Sequence, residues 1–316
     1  MDISIVIPVL NEVRYIESLV VHLISDMDDL AVEVLICDGG STDGTQDKVM
    51  ELSKRYPKVK LLNNPQRYVS FAFNNAYTVA QGKYIGLLGA HALYPKDFLK
   101  FAFTALESND CDVVGGPLIQ KGKTDTGKAI AYAMSSKFGV GGTEFRTEKK
   151  RMYVDSVAFA IYRKEIFEKA GLLDTELIRN QDDELHYRLN KFGYRILMIP
   201  EMTCEYYVRD SLKALWKQYF GYGYYKPLVL KKVKGAVRIR HLVPAAFVLY
   251  LVSLPLALIS ILWCIPVLIY AIIIVGITFQ SNLSYTSKMY LPLVFIILHC
   301  AYGLGFIKGL LKYLST

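Results

Sequence analysis

Between residues 242 and 287 there is no Asp, Glu, Lys or Arg, and 289–307 is again uncharged. A helix needs about 20 consecutive apolar residues to cross a hydrocarbon layer. Runs of this length seldom serve as the core helix of a soluble domain. The segments 242–262, 265–279 and 291–307 meet or approach it, so three spans are expected, or two with 265–279 re-entrant. Pro255 and Pro266 are placed to kink or turn them, because proline withholds a backbone donor. Composition agrees: 53% of residues are hydrophobic and only 21% charged, which excludes a disordered chain.

The net charge of +8 is localised. Residues 208–241 hold nine Lys or Arg against the single acid Asp210, so this segment accounts for all of it. Trp216, Tyr219, Phe220, Tyr222, Tyr224 and Tyr225 are interleaved with the charges. Basic and aromatic residues beside apolar spans fit an anionic lipid surface better than nucleic acid. Residues 1–10 lack the basic start of a cleavable signal peptide, so residues 1–207 are expected in the cytoplasm. Cys37, Cys111, Cys204, Cys264 and Cys300 form no CxxC pair, which argues against a zinc module or a disulfide scaffold. The expected organisation is a soluble domain over 1–207, an interfacial segment over 208–241 and a membrane part over 242–316.

The soluble part alternates strand and helix patterns. Residues 3–9 (ISIVIPV) and 32–37 (VEVLIC) are short and rich in branched side chains, as strands buried on both faces should be. Between them Tyr15, Ile16, Leu19, Val20 and Leu23 recur at helical spacing. Ser41 or Thr42 is a candidate cap for a second helix. Further strands are expected over 59–62, 84–88, 113–115 and 156–162, and helices over 97–107, 164–170 and 183–192. This alternation predicts an α/β fold whose sheet is mainly parallel and covered on both faces.

Ligands of such sheets bind beyond the carboxyl ends of the strands. The first strand ends in Pro8-Val9-Leu10-Asn11-Glu12 and the second in Cys37-Asp38-Gly39-Gly40-Ser41-Thr42-Asp43-Gly44-Thr45. A carboxylate at a strand tip accepts hydrogen bonds from a base or ribose. Taken alone, the second segment reads equally as a strand-to-helix turn with Asp43 at the helix start. Neither GxGxxG nor GxxxxGKS is present, so no dinucleotide fold or P-loop is signalled.

I-V-I-P-V-L-N-E followed by D-G-G-S-T-D-G-T resembles the opening of the family 2 glycosyltransferases, over most of residues 1–225. Within that family the chain is most similar to the ExoA-like succinoglycan and exopolysaccharide transferases. The resemblance implies a GT-A fold followed by C-terminal transmembrane helices. It also implies transfer of a sugar from a nucleotide-diphosphate donor, a UDP-sugar foremost, to a lipid-linked saccharide, with inversion. By the same resemblance Pro8, Glu12 and Asp38 contact the nucleoside, while Arg67 and Asn75 fall in the next donor-side loop and helix. Read as residues only, Arg67 fits a solvated arginine equally well.

After the fourth strand the family carries a D-x-D or D-x-H motif whose acids hold Mn²⁺ or Mg²⁺ on the diphosphate. This chain reads Gly89-Ala90-His91 there, which keeps Ala90 on the donor side and His91 as the candidate metal ligand but loses the first acid. Hard cations prefer oxygen ligands, so cation binding is expected to be weaker, and an Asp restored at position 89 is expected to tighten it. Farther on, Asn180-Gln181-Asp182-Asp183-Glu184-Leu185 resembles the family's N-E-D-x-E-L segment, which makes Asp182 the candidate base for an acceptor hydroxyl. Crowded acids raise one another's proton affinity, but three acids at a helix start also suit its macrodipole. Gln218, Tyr219 and Tyr222 match a Q-Y-x-x-Y-G segment and are candidates for the acceptor side. The processive Q-x-x-R-W motif is absent, which favours one transfer per encounter. Gly89 and Gln181 also leave open a nucleotide-sugar-binding subunit without transferase activity.

Overall fold

The computed structural model describes residues 1–25, 30–236 and 238–313. The chain divides into two compact units, residues 1–119 with 148–206, and residues 120–147 with 207–316. The first unit opens with β1 (Ile3–Val9), α1 (Ile16–Ser25), β2 (Val32–Asp38), α2 (Thr45–Arg55), β3 (Val59–Asn63) and α3 (Val69–Val79). It continues through β4 (Tyr84–Leu87), β5 (Ala92–Leu93), α4 (Phe98–Glu107) and β6 (Val113–Gly116). After β7 (Leu118–Lys121), the segment holding α5 (Asp125–Met134), α6 (Lys137–Val140) and α7 (Glu144–Thr147) belongs to the second unit. The chain then returns through β8 (Met152–Tyr153), β9 (Ala158–Arg163), α8 (Ile166–Ala170), α9 (Gln181–Lys191) and β10 (Ile196–Met198). After β11 (Cys204–Tyr207) come α10 (Leu212–Lys232), α11 (Ile239–Val252), α12 (Ile265–Gln280) and α13 (Tyr285–Tyr313).

The sheet of the first unit has eight strands in the order β3-β2-β1-β4-β9-β6-β10-β8. β1 pairs parallel with β2 and β4, and β6 parallel with β10, so these strands share one carboxyl edge. β9 is antiparallel to both β4 and β6, and thus starts at that edge instead of ending there. Ile3, Ile5, Ile7, Val34 and Ile36 have no exposure, which explains the continuous apolar runs. Glu33 is the exception within β2. It is fully buried, yet Lys60 lies 2.9 Å away, Ser4 Oγ donates at 2.7 Å and the Gln81 amide at 2.7 Å. Those bonds satisfy the charge in place of water.

Two local expectations change. Helix α2 starts at Thr45 with Gly44 as its cap at φ 92, because the Ser41 hydroxyl is committed to Asp38 and the Thr42 amide donates to Asn11. Residues 242–262 do not form one span. α11 stops at Val252 and two 3₁₀ turns follow over Leu254–Leu258 and Ile261–Cys264. Pro255 cannot donate to a continuing helix, and Ser253 Oγ bonds the Tyr250 carbonyl at 2.7 Å. The turn is closed by Trp263 Nε1 donating to Ser253 Oγ at 3.0 Å and Tyr250 Oη donating to the Trp263 carbonyl at 2.8 Å. Among the described residues two segments, Ile261–Gln280 and Tyr285–Tyr313, are long and apolar enough to cross a membrane.

Within the second unit, backbones meet through glycines. A Cβ on Gly305 would lie 2.2 Å from the Phe220 carbonyl oxygen, one on Gly309 2.2 Å from that of Tyr224, and one on Gly223 2.0 Å from that of Tyr302. α10 and α13 therefore touch main chain to main chain. The start of α13 is tied by Ser287 Oγ, which donates to Asp125 at 2.8 Å. Gly141 (φ 63) and Gly142 (φ 71) turn the chain between α6 and α7 in the left-handed region that glycine tolerates.

Candidate active site

The loops after β1 and β2 are laced together at the carboxyl edge. Val9 lies opposite Asp38, and the Gly39 amide donates to the Val9 carbonyl at 2.9 Å. The Asn11 amide donates to Ser41 Oγ at 2.8 Å and the Thr42 amide to Asn11 Oδ1 at 2.8 Å. The Glu12 amide donates to Thr45 Oγ1 at 2.8 Å and the Val13 amide to Asp43 at 3.2 Å. The hydroxyls and acids of the D-G-G-S-T-D-G-T run thus supply the polar partners that β1's loop needs. Pro8 lies at the end of β1, opposite Cys37.

Asp38 is almost wholly buried, and its Oδ1 accepts from the Gly40 and Ser41 amides, each at 2.9 Å, and from Gln46 Nε2. Its Oδ2 accepts from Ser41 Oγ. Burial works against the charge, but the bonds from Ser41, Gln46 and Gly40 outweigh it and hold the carboxyl below its ordinary range. A carboxylate offers about four acceptor positions, so Asp38 shapes this loop and has little capacity left for a ligand. Arg67 stands beside the turn at φ 65, with Nη2 3.6 Å from where a Cβ on Gly40 would be. Asn75 is exposed on α3; its neighbour Asn74 is the one tied down, bonding both ways with the Leu173 backbone at 2.9 and 3.1 Å.

β4 delivers Gly89, the buried Ala90 and His91 to the same edge. His91 Nε2 is 2.6 Å from Glu12 Oε1, and the Tyr15 ring meets the imidazole edge-on at 5.3 Å. Glu12 Oε2 is buried without a partner, an acceptor open to a ligand hydroxyl or N–H. Tyr94 Oη accepts from the Gly89 amide at 2.7 Å and donates to its carbonyl at 3.0 Å. The Phe159 ring fills the other side: a Cβ on Gly89 would lie 2.9 Å from its Cε1. Phe159 has φ 50, a left-handed conformation that costs a bulky residue about 1–3 kcal/mol. It sits where the β6–β9 pairing shifts register.

These residues fit a protein-held divalent cation poorly. Among the described residues no three His, Cys, Asp or Glu side chains converge as a ligand set. The His91 nitrogen facing Glu12 is engaged by that carboxylate, which leaves Nδ1 alone for a ligand, and a side chain at position 89 would have to displace the Phe159 ring.

The third component is α9. It leads directly to Arg195, whose amide donates to Asp112 at 2.8 Å at the amino end of β6. Eleven residues make the helix about 16 Å long. Its first turn carries the exposed Asp182, one turn ahead of His186, which bonds Ser156 just before β9 begins. Asn180 at φ 61 makes the turn into the helix. Glu184 is buried and forms a two-pronged pair with Arg188, both bonds at 2.8 Å. Arg188 also donates to the carbonyls of Ala170, Gly171 and Leu172, so this acid is structural.

One turn after Asp182, buried His186 bridges Ser156 Oγ on Nδ1 at 2.8 Å and Tyr162 Oη on Nε2 at 2.9 Å. Burial pushes the imidazole down to about 4, so it is neutral at ordinary pH. Burial, followed by the charge of Asp182, raises the Tyr162 phenol. In the second unit Gln218 Nε2 donates to Tyr222 Oη at 3.0 Å, and the Tyr219 and Tyr222 rings meet at 5.6 Å. Sequence reasoning missed Gln46, Tyr94, Phe159 and His186. Of these only Gln46, at helical spacing behind the Asp38 turn, left a readable trace.

The model of "Glycosyl transferase family 2" matches residues 4–171. The succinoglycan biosynthesis protein ExoA of Rhizobium meliloti is 33% identical, covering 98% of this chain and 95% of that protein. A Methanococcus voltae dolichyl N-acetyl-alpha-D-glucosaminyl phosphate 3-beta-D-2,3-diacetamido-2,3-dideoxy-beta-D-glucuronosyltransferase is 32% identical over 99% of this chain and 98% of its own. Among solved structures, a Pyrobaculum calidifontis mannosyltransferase in complex with GDP-Man and Mn²⁺ aligns with a TM-score of 0.67 at 18% identity. That alignment covers 98% of this chain and 87% of the other, and it establishes the GT-A fold.

Proposed function

Because the chain belongs to glycosyltransferase family 2, we propose that it moves one sugar per encounter from a nucleoside diphosphate donor, UDP-linked, to a lipid-linked saccharide. The product belongs to an exopolysaccharide or other cell-surface glycan, as the names of its relatives suggest. The observation that carries this reading is the convergence at one sheet edge of the laced Glu12 and Asp38 loops with the His91 loop, joined by the 2.6 Å contact of Glu12 with His91. The first two bind the nucleoside, with Glu12 Oε2 as the open acceptor. Arg67 and His91 face the diphosphate, and Asp182 faces the acceptor.

Asp182 takes the proton of an acceptor hydroxyl as its oxygen attacks the anomeric carbon. The new C–O bond forms opposite the one that breaks, and the electron pair leaves on the nucleoside diphosphate, so the configuration inverts. The guanidinium of Arg67 meets the charge that develops there. The segments Ile261–Gln280 and Tyr285–Tyr313 anchor the protein in a membrane, with the catalytic unit on the cytoplasmic side. Gln218, Tyr219 and Tyr222 lie at the acceptor's surface, and anchoring there raises the effective concentration of a lipid-borne acceptor.

The test is radiolabelled sugar transfer to membrane lipid extract, with donor affinity measured in parallel. Asp182→Asn is expected to keep donor affinity within about threefold while turnover falls at least about a hundredfold. Equal loss of both would make Asp182 a scaffold residue.

A further inference from the structure

We infer that this chain grips the diphosphate of its donor with N–H groups of its own instead of a divalent cation, because Phe159 has taken the space a cation-binding carboxylate at position 89 would need. The inference rests on the donor-binding reading above. Three observations carry it. The first is steric: the Phe159 ring lies 2.9 Å from where a Cβ on Gly89 would be, and the Tyr94 ring backs it edge-on at 5.4 Å. The Gly89 backbone has no slack to move away, because Tyr94 Oη holds both its amide and its carbonyl.

The second is the left-handed backbone of Phe159 at φ 50. A bulky residue is held there only when its surroundings impose the conformation, so the ring's position is built in and not a chance rotamer. The third concerns the ligands that remain. His91 Nε2 lies 2.6 Å from Glu12 Oε1, the geometry of an N–H donated to a carboxylate, which leaves a cation only the Nδ1 lone pair of this residue, and among the described residues no three His, Cys, Asp or Glu side chains converge as a ligand set. Hard cations favour several oxygen ligands, whereas a guanidinium offers a planar fork matched to phosphate oxygens. Arg67, with Nη2 beside the Gly39-Gly40 turn, is that fork.

The experiment titrates UDP and GDP into the full chain in detergent, once with excess EDTA and once with Mn²⁺. Affinity for the better nucleotide is expected to agree within about twofold between the two conditions, and Arg67→Gln to weaken it about tenfold in both. A loss of about tenfold or more on adding EDTA overturns the inference and leaves the donor-binding reading intact. Failure of both nucleotides to bind under either condition sinks that reading, and the inference with it. A second measurement follows Mn²⁺ itself by its paramagnetic resonance signal. Gly89→Asp alone is expected to bind no more Mn²⁺ than wild type, whereas Gly89→Asp combined with Phe159→Ala binds it. Binding by the single variant, or none by the pair, refutes the steric argument.

Discussion

His186 offers a measurement of how α9 is held under Asp182. Its ring is fully enclosed between Ser156 and Tyr162, and burial lowers its pKa from 6.5 to about 4. Folding therefore weakens proton binding at this site. Between about pH 6.5 and pH 4 the unfolded chain holds the proton that the native chain rejects, so stability is whole above that window and falls as the pH drops through it. The full effect is about 3 kcal/mol, of which about 2 kcal/mol is lost between pH 7 and pH 5. Denaturation of the detergent-solubilised chain, read from a fluorophore in the first unit, would be compared for wild type and His186→Gln at both pH values. The variant lacks the titrating group, so its stability should fall by about 2 kcal/mol less over that interval. The groups common to both cancel. Equal pH slopes would refute the reasoning and mean that His186 gains its proton without cost in the folded chain.

Other perturbations test the remaining contacts. Glu184→Gln breaks a buried two-pronged ion pair and should cost about 3 kcal/mol, seen as a lower Tm. Arg188→Lys keeps the charge but loses the fork to Leu172 and Gly171, and should fall between wild type and Glu184→Gln. Gly305→Leu puts a side chain where a Cβ would lie 2.2 Å from the Phe220 carbonyl and should cost about 2 kcal/mol or more in thermal stability. Gly276→Leu is its control, because nothing lies within 4 Å of a Cβ there, and it should leave the Tm unchanged.

What the sequence made legible was local and continuous. β1 and β2 announce themselves because strands buried on both faces have no polar alternation to obscure them, and α9 because its apolar residues keep helical spacing. The direction of β9 was not legible, since a strand's own residues do not say whether its neighbours run with it or against it. The left-handed backbone of Phe159 coincides with a register shift against β6, and the position itself carries an ordinary aromatic residue. Hydropathy made 242–262 look like a span because it counts greasy side chains and is blind to Ser253, Pro255 and Trp263 closing a turn. Residues 120–147 looked like part of the first unit by order along the chain, whereas Ser284, Ser287 and His299 bond to Asp125 and Phe138 across a long sequence separation. At the site, the acids at strand tips were visible. The saturation of Asp38 by its own loop was not, because it depends on where Gln46 and Ser41 point.

The lacing of the β1 and β2 loops has a dynamic consequence. Asn11, Glu12 and Val13 each hand a main-chain proton to the other loop, and Thr42 returns one. Neither segment can open while its partner stays shut, so their amides should exchange with solvent deuterium in a common burst. A lesion at Ser41 or Thr45 would then register on the far segment as readily as a lesion at Asn11 itself.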